Sequence, residues 1–501
     1  MEASELVEGP QWVASGLEES AGLYPLRVER AVGRLVERLL PGIITTTTGA
    51  RYYALHTLAW AEAHRRGLDL EDATQFVSRC EVVMAAVSLV HRESDSGHLR
   101  TVPSAHGETE VERLVVDGTL DVAKAAAPGG YSRGGFAGTY AAPERTIGLL
   151  AGGWPPRKGP RAGLEPLRAG LGAVLEMADA DTLTLRELSS SLELCPCQAA
   201  EMPDGEWLRS VLIERADPGF EDDRNRQITA LMLLEAVGTG TEPAIERAFR
   251  LVHGFGAPID GTSEAASARR AWRAAILRNY SVSAWRHLWR WLSEQLVGDA
   301  LTVQELGDRL ADALGAQSVG AFLSELPDRF ESNELHPAEE SIRDSDEPVP
   351  VSALRQLAIG AARLDDLDEE TRTAFIGRDQ NDLGPLWLQH QLAEHRTSSL
   401  AALGRDLAAT LVRRAKRVAN SKMYLTSDLR PYVPTRLRDR DGRLYTIGVE
   451  SDAEVSLRSW TLAQILVALG AIERPEGGYT ITSKGEALRD HLAAENEVSA
   501  A

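Results

Sequence analysis

Apolar side chains recur every three or four positions along most of this chain, a period typical of amphipathic helices. The pattern predicts helices over 25–40, 70–92, about 264–297 and about 385–423. Another helix is expected to end at Gly67, because glycine readily takes the left-handed conformation that closes a helix. We therefore expect a mainly α, multi-domain helical protein.

The last part of the chain adds short alternating patterns. Two such runs flank Asp441-Gly442, a pair that favours a hairpin turn of two residues. After this hairpin the pattern predicts a helix over 457–469, two short strands separated by a turn, and a helix over 483–494. The end of the chain is therefore expected to form a small domain that combines helices with β-hairpins.

A change in composition predicts the domain boundary. Residues 331–350 contain seven acidic residues, one arginine and three prolines, with almost nothing apolar to bury. We interpret them as an acidic linker between a helical N-terminal region, 1–330, and a smaller region, 351–501. On length alone the N-terminal region is open to a further division into 1–165 and 166–330.

Composition and charge exclude several protein classes. The chain has 501 residues, a formal charge of −20, 43% apolar and 26% charged residues, as is ordinary for folded proteins. Its cysteines, Cys80, Cys195 and Cys197, are too few for a disulfide framework and suit a reducing compartment. The first residues are acidic, unlike a signal peptide, and no apolar run approaches the roughly 18 residues of a membrane helix. We expect a cytoplasmic protein without a membrane partner, and the excess of arginine over lysine indicates a GC-rich bacterial origin.

Several common catalytic motifs are absent from the sequence. It contains no Walker-type phosphate loop, no H-E-x-x-H, no G-x-S-x-G and no acidic residue two positions before a lysine. We predict a non-enzymatic protein with no catalytic residue, no metal and no cofactor. The Cys-Pro-Cys run at 195–197 is tighter than structural zinc spacings, and Cys80 or a histidine would have to complete a site. An enzyme with a non-standard site stays an alternative, placed at the glycine-rich run Gly129–Gly138 or at Asp222-Asp223, where a loop and a helix N-cap are the simpler interpretations.

A basic segment interrupts this acidic chain. Residues 405–443 contain eleven basic and four acidic residues, so they carry +7 while the remaining residues carry −27. Strand alternation would place three arginines on one face at about 6.6–6.8 Å, close to the phosphate spacing of a nucleic-acid strand. A charged edge strand that resists aggregation is the alternative interpretation. The residues expected to contact DNA are Arg413, Arg414, Arg417, Arg436, Arg438, Arg440 and Arg443.

A second basic segment is interleaved with aromatic residues. Six arginines and no acidic residue lie between 269 and 290. Within it, Trp272, Trp285 and Trp289 are predicted to form a partner interface, and the last two share a helix face because they are four residues apart. The alternative is a core helix whose tryptophans are buried while the arginine stems reach the surface.

Two stretches resemble known families. The sequence GAIERPEGGYTITSKGEAL resembles the end of a winged helix-turn-helix domain of bacterial regulators, with 457–469 in the place of the reading helix. This resemblance implies DNA binding or, since such domains also bind proteins, a protein-interaction module. The sequences LLPGIITTTTGARYYALHTLAW and GGFAGTYAAPERTIGLL are similar to an uncharacterised bacterial family found near anti-phage defence genes. That second resemblance implies no catalytic residue.

These observations lead to one functional expectation and two alternatives. We expect a nucleic-acid-associated accessory protein of a bacterial antiviral defence or mobile-element locus, which contacts the DNA backbone non-specifically through its C-terminal arginines. The main alternative is an assembly subunit that binds protein subunits of the same locus through the winged helix and the tryptophan-rich helix. The third is the enzyme with a non-standard site.

Overall fold

The computed structural model describes residues 24–94, 105–127, 135–220, 222–240, 242–327, 337–377, 383–425, 428–452 and 454–498. Helix accounts for 64% and strand for 7%, so the prediction of a mainly α protein is confirmed.

The α-helices range from five to thirty-one residues. Their bounds are α1 (Arg30–Leu39), α2 (Ala50–Arg66), α3 (Leu70–Ser94), α4 (Glu108–Leu114), α5 (Val122–Ala126), α6 (Ala137–Thr146), α7 (Leu164–Asp179), α8 (Leu185–Ser189), α9 (Pro203–Arg209), α10 (Asp223–Gly238), α11 (Ile245–Phe255), α12 (Glu264–Glu294), α13 (Val303–Leu314), α14 (Val319–Ser324), α15 (Ala338–Arg343), α16 (Val349–Ala362), α17 (Glu369–Ile376), α18 (Pro385–Glu394), α19 (Leu400–Ser421), α20 (Ser459–Ala468) and α21 (Ser483–Val498). Shorter 3-10 or π-helical turns cover Leu192–Leu194, Pro196–Glu201, Ser210–Glu214 and Arg363–Asp365.

The strands are two to four residues long and pair antiparallel. Their bounds are β1 (Val115–Val116), β2 (Thr119–Asp121), β3 (Leu150–Ala151), β4 (Arg157–Lys158), β5 (Thr182–Thr184), β6 (Tyr424–Leu425), β7 (Pro431–Tyr432), β8 (Leu437–Arg440), β9 (Arg443–Thr446), β10 (Ile472–Glu473) and β11 (Thr480–Ile481). β1, β2 and β5 form a three-stranded sheet in that order, and the other strands form two-stranded ribbons of β3 with β4, β6 with β7, β8 with β9, and β10 with β11.

The hairpin predicted around Asp441-Gly442 is confirmed. Arg440 pairs with Arg443 across β8 and β9, which leaves two residues in the turn. Asp441 and Gly442 have φ values of 50° and 79°, and positive φ at both positions is what a tight two-residue turn of this kind requires. The Asp439 carboxylate accepts a hydrogen bond from Gly442 N at 3.1 Å and further fixes the turn.

Capping side chains explain where several helices begin. Thr302 and Glu305 form a reciprocal capping box at the start of α13. The predicted helix over about 385–423 is two helices, because α18 ends at Glu394 and the Ser399 side chain caps the start of α19. Gly67 closes α2 with φ 69°, as predicted.

The chain divides into two compact units, each assembled from separate segments. Unit 1 takes its described residues from Met1–Leu35, Gly254–Ala257 and Arg270–Val455. Unit 2 takes its described residues from Val36–His253, Pro258–Arg269 and Ser456–Ala501. This division differs from the predicted regions, since 351–455 and 456–501 belong to different units.

Unit 2 is built around α3. This helix packs against α2, α4, α5, α7 and α8, and α9 contacts both α2 and α7. Length and composition alone would allow α3 to cross a membrane, but 83% of its apolar window is buried inside the protein, as in the core helix of a folded domain. In the same unit α10 packs against α21 and β11, and α20 packs against α2 and α10.

Unit 1 is organised around the antiparallel pair α13 and α19. The buried face of α19 carries leucines four residues apart, among them Leu403, Leu407 and Leu411. Gly404 allows a close approach, because a Cβ there would lie 3.0 Å from a methyl group of Leu314. Backbone hydrogen bonds between Leu301 and Leu444 attach the β8–β9 hairpin to the segment before α13.

The segment predicted as an acidic linker is folded where the structure describes it. From residue 337 onward it forms α15, where Ala338 and Ile342 pack in a small apolar core. Glu339 is 1% exposed and accepts two 2.9 Å hydrogen bonds from Arg363. The linker prediction is wrong here, because acidic residues that were expected to be solvated pair with arginines brought close by the fold.

Candidate functional site

Four of the arginines predicted to bind DNA define a basic surface on unit 1. Arg413 and Arg417 are exposed on α19, where a separation of four residues puts them on one face. Arg440 and Arg443 are the two residues that flank the turn of the β8–β9 hairpin. We call Arg413, Arg417, Arg440 and Arg443 the basic surface.

A salt bridge joins the helix and the hairpin of the basic surface. Lys416 on α19 pairs with Asp439 on β8, so the two basic segments lie side by side. Arg413 bonds to a neutral hydroxyl one turn earlier, at 3.1 Å. Arg443, in contrast, lies 3.3 Å from the Glu305 carboxylate, although its side chain stays half exposed. Among the described residues of this surface, acidic partners therefore offset the charge of Arg443 more than that of Arg413.

Three other arginines of the predicted set are used by the fold. Arg414 Nε donates to the Leu26 carbonyl at 2.9 Å. Arg436 donates to the Val449 carbonyl. Arg438 is only 7% exposed, because β8 is covered on both faces at this point. The predicted row of solvated arginines on one strand face is wrong at the buried Arg438, and the partly exposed Arg414 and Arg436 are engaged by backbone carbonyls of the protein.

The tryptophans predicted to form a partner interface lie in the interior of unit 1. Trp272, Trp285 and Trp289 are 0%, 1% and 4% exposed. Trp285 Nε1 donates to the Leu383 carbonyl at 3.1 Å, which satisfies its polar atom inside the core. The interface prediction is wrong at these positions, and the alternative of a core helix is the correct one.

The segment that resembles a winged helix has the expected order of elements without an exposed reading helix. α20, β10, β11 and α21 follow one another as predicted. Within α20 only Trp460 is exposed, because the helix packs against α2 and α10. A recognition helix must insert a row of side chains into a groove, and a helix that exposes only Trp460 does not present such a row. Base reading through α20 is therefore excluded.

The two places named for a non-standard enzyme site give no catalytic arrangement among the described residues. Residues 129–134 of the glycine-rich run lie outside the described residues. Asp222 stands at the N-cap of α10 with φ 65° but makes no capping hydrogen bond through its side chain. Asp223 is 2% exposed, and its carboxylate binds Arg226 and, at 3.0 Å, Arg161. Asp223 therefore joins two arginines inside unit 2, and Asp222 takes the expected N-cap position without a capping hydrogen bond from its side chain.

This arrangement predicts a stability effect for Asp223. Asp223→Asn keeps the shape but removes the charge that faces two arginines, so we expect the free energy of unfolding to fall by about 1.5–3 kcal/mol. The matched control is Asp222→Asn, the same change at a left-handed position that asparagine tolerates, with an expected effect below about 0.5 kcal/mol. Urea unfolding followed by circular dichroism measures both, and equal effects of the two variants would contradict the assignment.

A set of buried ionisable groups in unit 2 was not predicted. His56 on α2 places Nε2 2.9 Å from Glu81 Oε1 and Nδ1 2.9 Å from Glu144 Oε1. All three side chains are fully buried. Burial alone would lower the pKa of His56, but the charges and hydrogen bonds of Glu144 and Glu81 raise it to about 9. Burial raises the pKa of Glu144.

The end of the glycine-rich run closes over this set. The Phe136 backbone amide donates to both oxygens of Glu81, at 3.0 and 2.9 Å. Gly135 has φ 76°, and a Cβ there would lie 2.6 Å from Glu81 Oε2, so only glycine fits. This part of the run positions a carboxylate and has a structural role.

A neutral histidine lies beside the charged one. Burial lowers the pKa of His106 to about 4, with a further contribution from the charge of His56. His106 Nε2 lies 3.0 Å from the Tyr140 hydroxyl, and its ring stacks on Phe136 with centroids 4.5 Å apart. The two histidines can therefore hold different charges at neutral pH, which is a condition for proton transfer but does not by itself indicate a reaction.

A pocket of about 220 Å³ lies in unit 1. Glu29 and Glu450 line it together with Arg286 and Trp289. Burial raises the pKa of both carboxyl groups. Glu454 also lines the pocket, so three carboxyl groups and a single arginine stand in its wall.

The Cys-Pro-Cys run meets a histidine in unit 2. His91, in the last turn of α3, places Nδ1 3.3 Å from Cys197 Sγ. Cys80, the other residue considered as a partner for this run, is not part of the cluster. The expectation of no metal rested on the tight cysteine spacing and the lack of a second cysteine pair, and the fold brings a histidine next to the two cysteines.

No protein-family model, curated protein sequence or solved structure matches this chain. The resemblance to a winged helix-turn-helix domain and the similarity to a defence-associated family therefore stay predictions.

Proposed function

We propose that this protein is a non-enzymatic, nucleic-acid-associated protein that contacts backbone phosphates through the basic surface. The winged-helix-like segment has no part in base reading under this proposal. The association with a bacterial defence or mobile-element locus stays a prediction. The cytoplasmic location also stays a prediction.

The observation that carries the proposal is the exposed pair Arg413 and Arg417 next to the hairpin arginines. Guanidinium groups on one helix face, beside further guanidinium groups held close by the Lys416–Asp439 salt bridge, suit the phosphates of one strand. The protein carries a net charge of −20, which disfavours the approach of a nucleic acid to the rest of its surface. The basic surface, where the charge is locally positive, is therefore the favoured place of contact.

Salt-dependent DNA binding tests the proposal. Anisotropy of a labelled duplex is measured with the full-length protein between about 50 and 200 mM salt, where phosphate contacts are most visible. We expect Arg413→Gln/Arg417→Gln to weaken binding equally for duplexes of different sequence. Because each neutralised phosphate contributes about 0.9 to the slope of log K against log salt, the slope should become shallower by about two.

The control removes the same charge elsewhere. Arg186→Gln/Arg489→Gln changes two arginines of unit 2 that lie outside the basic surface, and it should leave both affinity and slope unchanged. An unchanged slope in the Arg413/Arg417 variant, or no binding at 50 mM salt by the wild-type protein, would remove the proposal.

An assembly subunit is the second candidate function. The tryptophans and α20, named for it from the sequence, are buried, but a different apolar surface supports it. Met423, Tyr424, Leu425 and Leu429 in unit 1 are 56%, 48%, 61% and 76% exposed, and exposed apolar groups of this kind are typical of protein-binding surfaces. A stoichiometric protein partner together with no DNA affinity at low salt would select this candidate.

A further inference from the structure

The cluster of His91, Cys195 and Cys197 in unit 2 has the composition of a metal site. The three potential ligand atoms lie within 4.8 Å of one another. Cys197 Sγ lies 3.3 Å from Cys195 Sγ and 3.3 Å from His91 Nδ1. A tetrahedral zinc ion, with Zn–S of about 2.3 Å and Zn–N of about 2.0–2.1 Å, separates its ligand atoms by about 3.5–3.8 Å. The two printed separations at Cys197 are therefore within about 0.5 Å of zinc geometry, and the separation of Cys195 from His91 is at most 4.8 Å.

The sulfur atoms are too far apart for a disulfide in this structure. A disulfide bond is about 2.05 Å long, whereas these sulfurs are 3.3 Å apart, so Cys195 and Cys197 form no disulfide with each other. Cys195 is fully buried, His91 is 8% exposed and Cys197 is partly exposed. The cluster is thus open to solvent on the Cys197 side only.

Rigid elements hold each ligand. His91 projects from the end of α3, the core helix of unit 2. The two cysteines flank Pro196 at the start of a 3-10 turn. Arg51 Nη1 donates to the carbonyl oxygens of Cys195 at 2.7 Å and Glu193 at 2.5 Å, which fixes the backbone of the run. Ligands held in place before an ion arrives lower the cost of ordering them.

A neutral donor lies beside one of the sulfur atoms. Gln198 Nε2 donates to Cys197 Sγ at 3.3 Å. The Ser88 hydroxyl, one turn before His91 on α3, donates instead to Glu108 Oε2 at 2.8 Å. A hydrogen bond such as that from Gln198 stabilises a thiolate ligand and orients it toward a metal. Two thiolates, a neutral imidazole and a divalent ion have no net charge, so the complete site suits its burial.

We propose that His91, Cys195 and Cys197 bind one thiolate-preferring metal ion, zinc in the first instance. Three protein ligands leave one tetrahedral position for water or an added ligand on the side of Cys197. Two thiolates with one imidazole favour soft or borderline ions over magnesium or calcium. Copper(I) shares this ligand chemistry, and the measurements below distinguish it from zinc. The cluster belongs to unit 2 and shares no residue with the basic surface, which belongs to unit 1. A test of the metal site can therefore give a negative result without affecting the proposed function, and the reverse also holds.

Metal content and cobalt spectroscopy test the site on the untagged full-length protein. Purified under reducing conditions, the wild-type protein should carry about one equivalent of zinc by elemental analysis. After removal of the zinc, added Co²⁺ should give thiolate-to-cobalt charge-transfer absorption and the visible bands of a tetrahedral ion. Copper in place of zinc in the isolated protein would assign the site to copper(I).

Variants separate the cluster from the third cysteine. Cys195→Ser/Cys197→Ser should abolish both the bound zinc and the cobalt bands, whereas Cys80→Ala, at a buried cysteine outside the cluster, should retain them. Gln198→Ala should weaken zinc affinity about 10–100-fold without abolishing it. Circular dichroism confirms that each variant is folded.

Two results would overturn the proposal, and both come from the wild-type protein, so neither depends on a variant that folds. One is the absence of bound metal together with no cobalt bands. The other is a Cys195–Cys197 disulfide, found by peptide mapping of protein alkylated at lysis without reductant, because a cysteine pair that is oxidised in the cell is not a metal site.

Discussion

Asp204→Ala is expected to lower the free energy of unfolding of this protein by about 3–5 kcal/mol. Arg51, 1% exposed, donates hydrogen bonds of 2.8 and 2.9 Å to the two oxygens of Asp204, which is fully buried. Alanine would leave the Arg51 guanidinium in the interior of unit 2 without a counter-charge. Urea unfolding followed by circular dichroism should show a lower midpoint at an unchanged slope.

An exposed salt bridge provides the control for Asp204. Arg405 and Asp308 form a 2.6 Å pair whose side chains are 51% and 46% exposed, so Arg405→Gln should change stability by less than about 1 kcal/mol. Arg51→Met/Asp204→Leu should recover part of the loss, because it removes both charges together. A loss in Asp204→Ala no larger than that in Arg405→Gln would contradict the role assigned to the buried pair.

The Arg51–Asp204 pair also connects stability with the inferred metal site. Asp204 fixes the guanidinium, and the guanidinium in turn holds the backbone of the Cys-Pro-Cys run through the Cys195 carbonyl. Gly170 completes the packing, since a Cβ there would lie 1.9 Å from Asp204 Oδ1. A single buried ion pair thus positions two of the three proposed ligands relative to α3.

Features that depend on neighbours in sequence could be predicted from the sequence. The period of α3, the closing glycine Gly67 and the Asp441-Gly442 turn are such features, because each follows from local backbone preference. The division into units could not be predicted, since it depends on which distant segments pack together. The prediction of a linker at 331–350 failed for the same reason where the structure describes this segment. Glu339 is buried against Arg363, which is 24 residues away in sequence, so local composition could not reveal the pairing.

For the candidate sites too, the sequence indicated local features but not the contacts between distant segments. Alternation correctly indicated strands around Asp441-Gly442 but could not show that Arg438 would be buried. Cys195 and Cys197 were visible as half of a metal site, whereas His91 lies 106 residues from Cys197 in sequence. His56 was visible only as a histidine on a helix, because its carboxylate partners come from 25 and 88 residues away.

His56 is expected to make the stability of unit 2 depend on pH. Its pKa in the folded protein is about 9, above the ordinary value of 6.5, because burial is outweighed by Glu144 and Glu81. The imidazolium therefore stabilises the fold fully below about pH 6.5, and this contribution is lost as the pH rises toward 9. Over that window the free energy of unfolding should fall by up to about 1.4 kcal/mol per pH unit from this group.

His56→Gln tests this dependence through the difference between variant and wild type. Glutamine cannot carry the charge, so at pH 6 it should cost about 3–5 kcal/mol by leaving Glu81 and Glu144 without a cation. At pH 9 the wild-type histidine also loses its proton, so the difference should shrink. His64→Gln, eight residues further along α2 at an exposed position, should leave the pH profile unchanged. A difference that stays constant from pH 6 to 9 would contradict a charged His56, because the variant removes the proton that His56 would lose over this range.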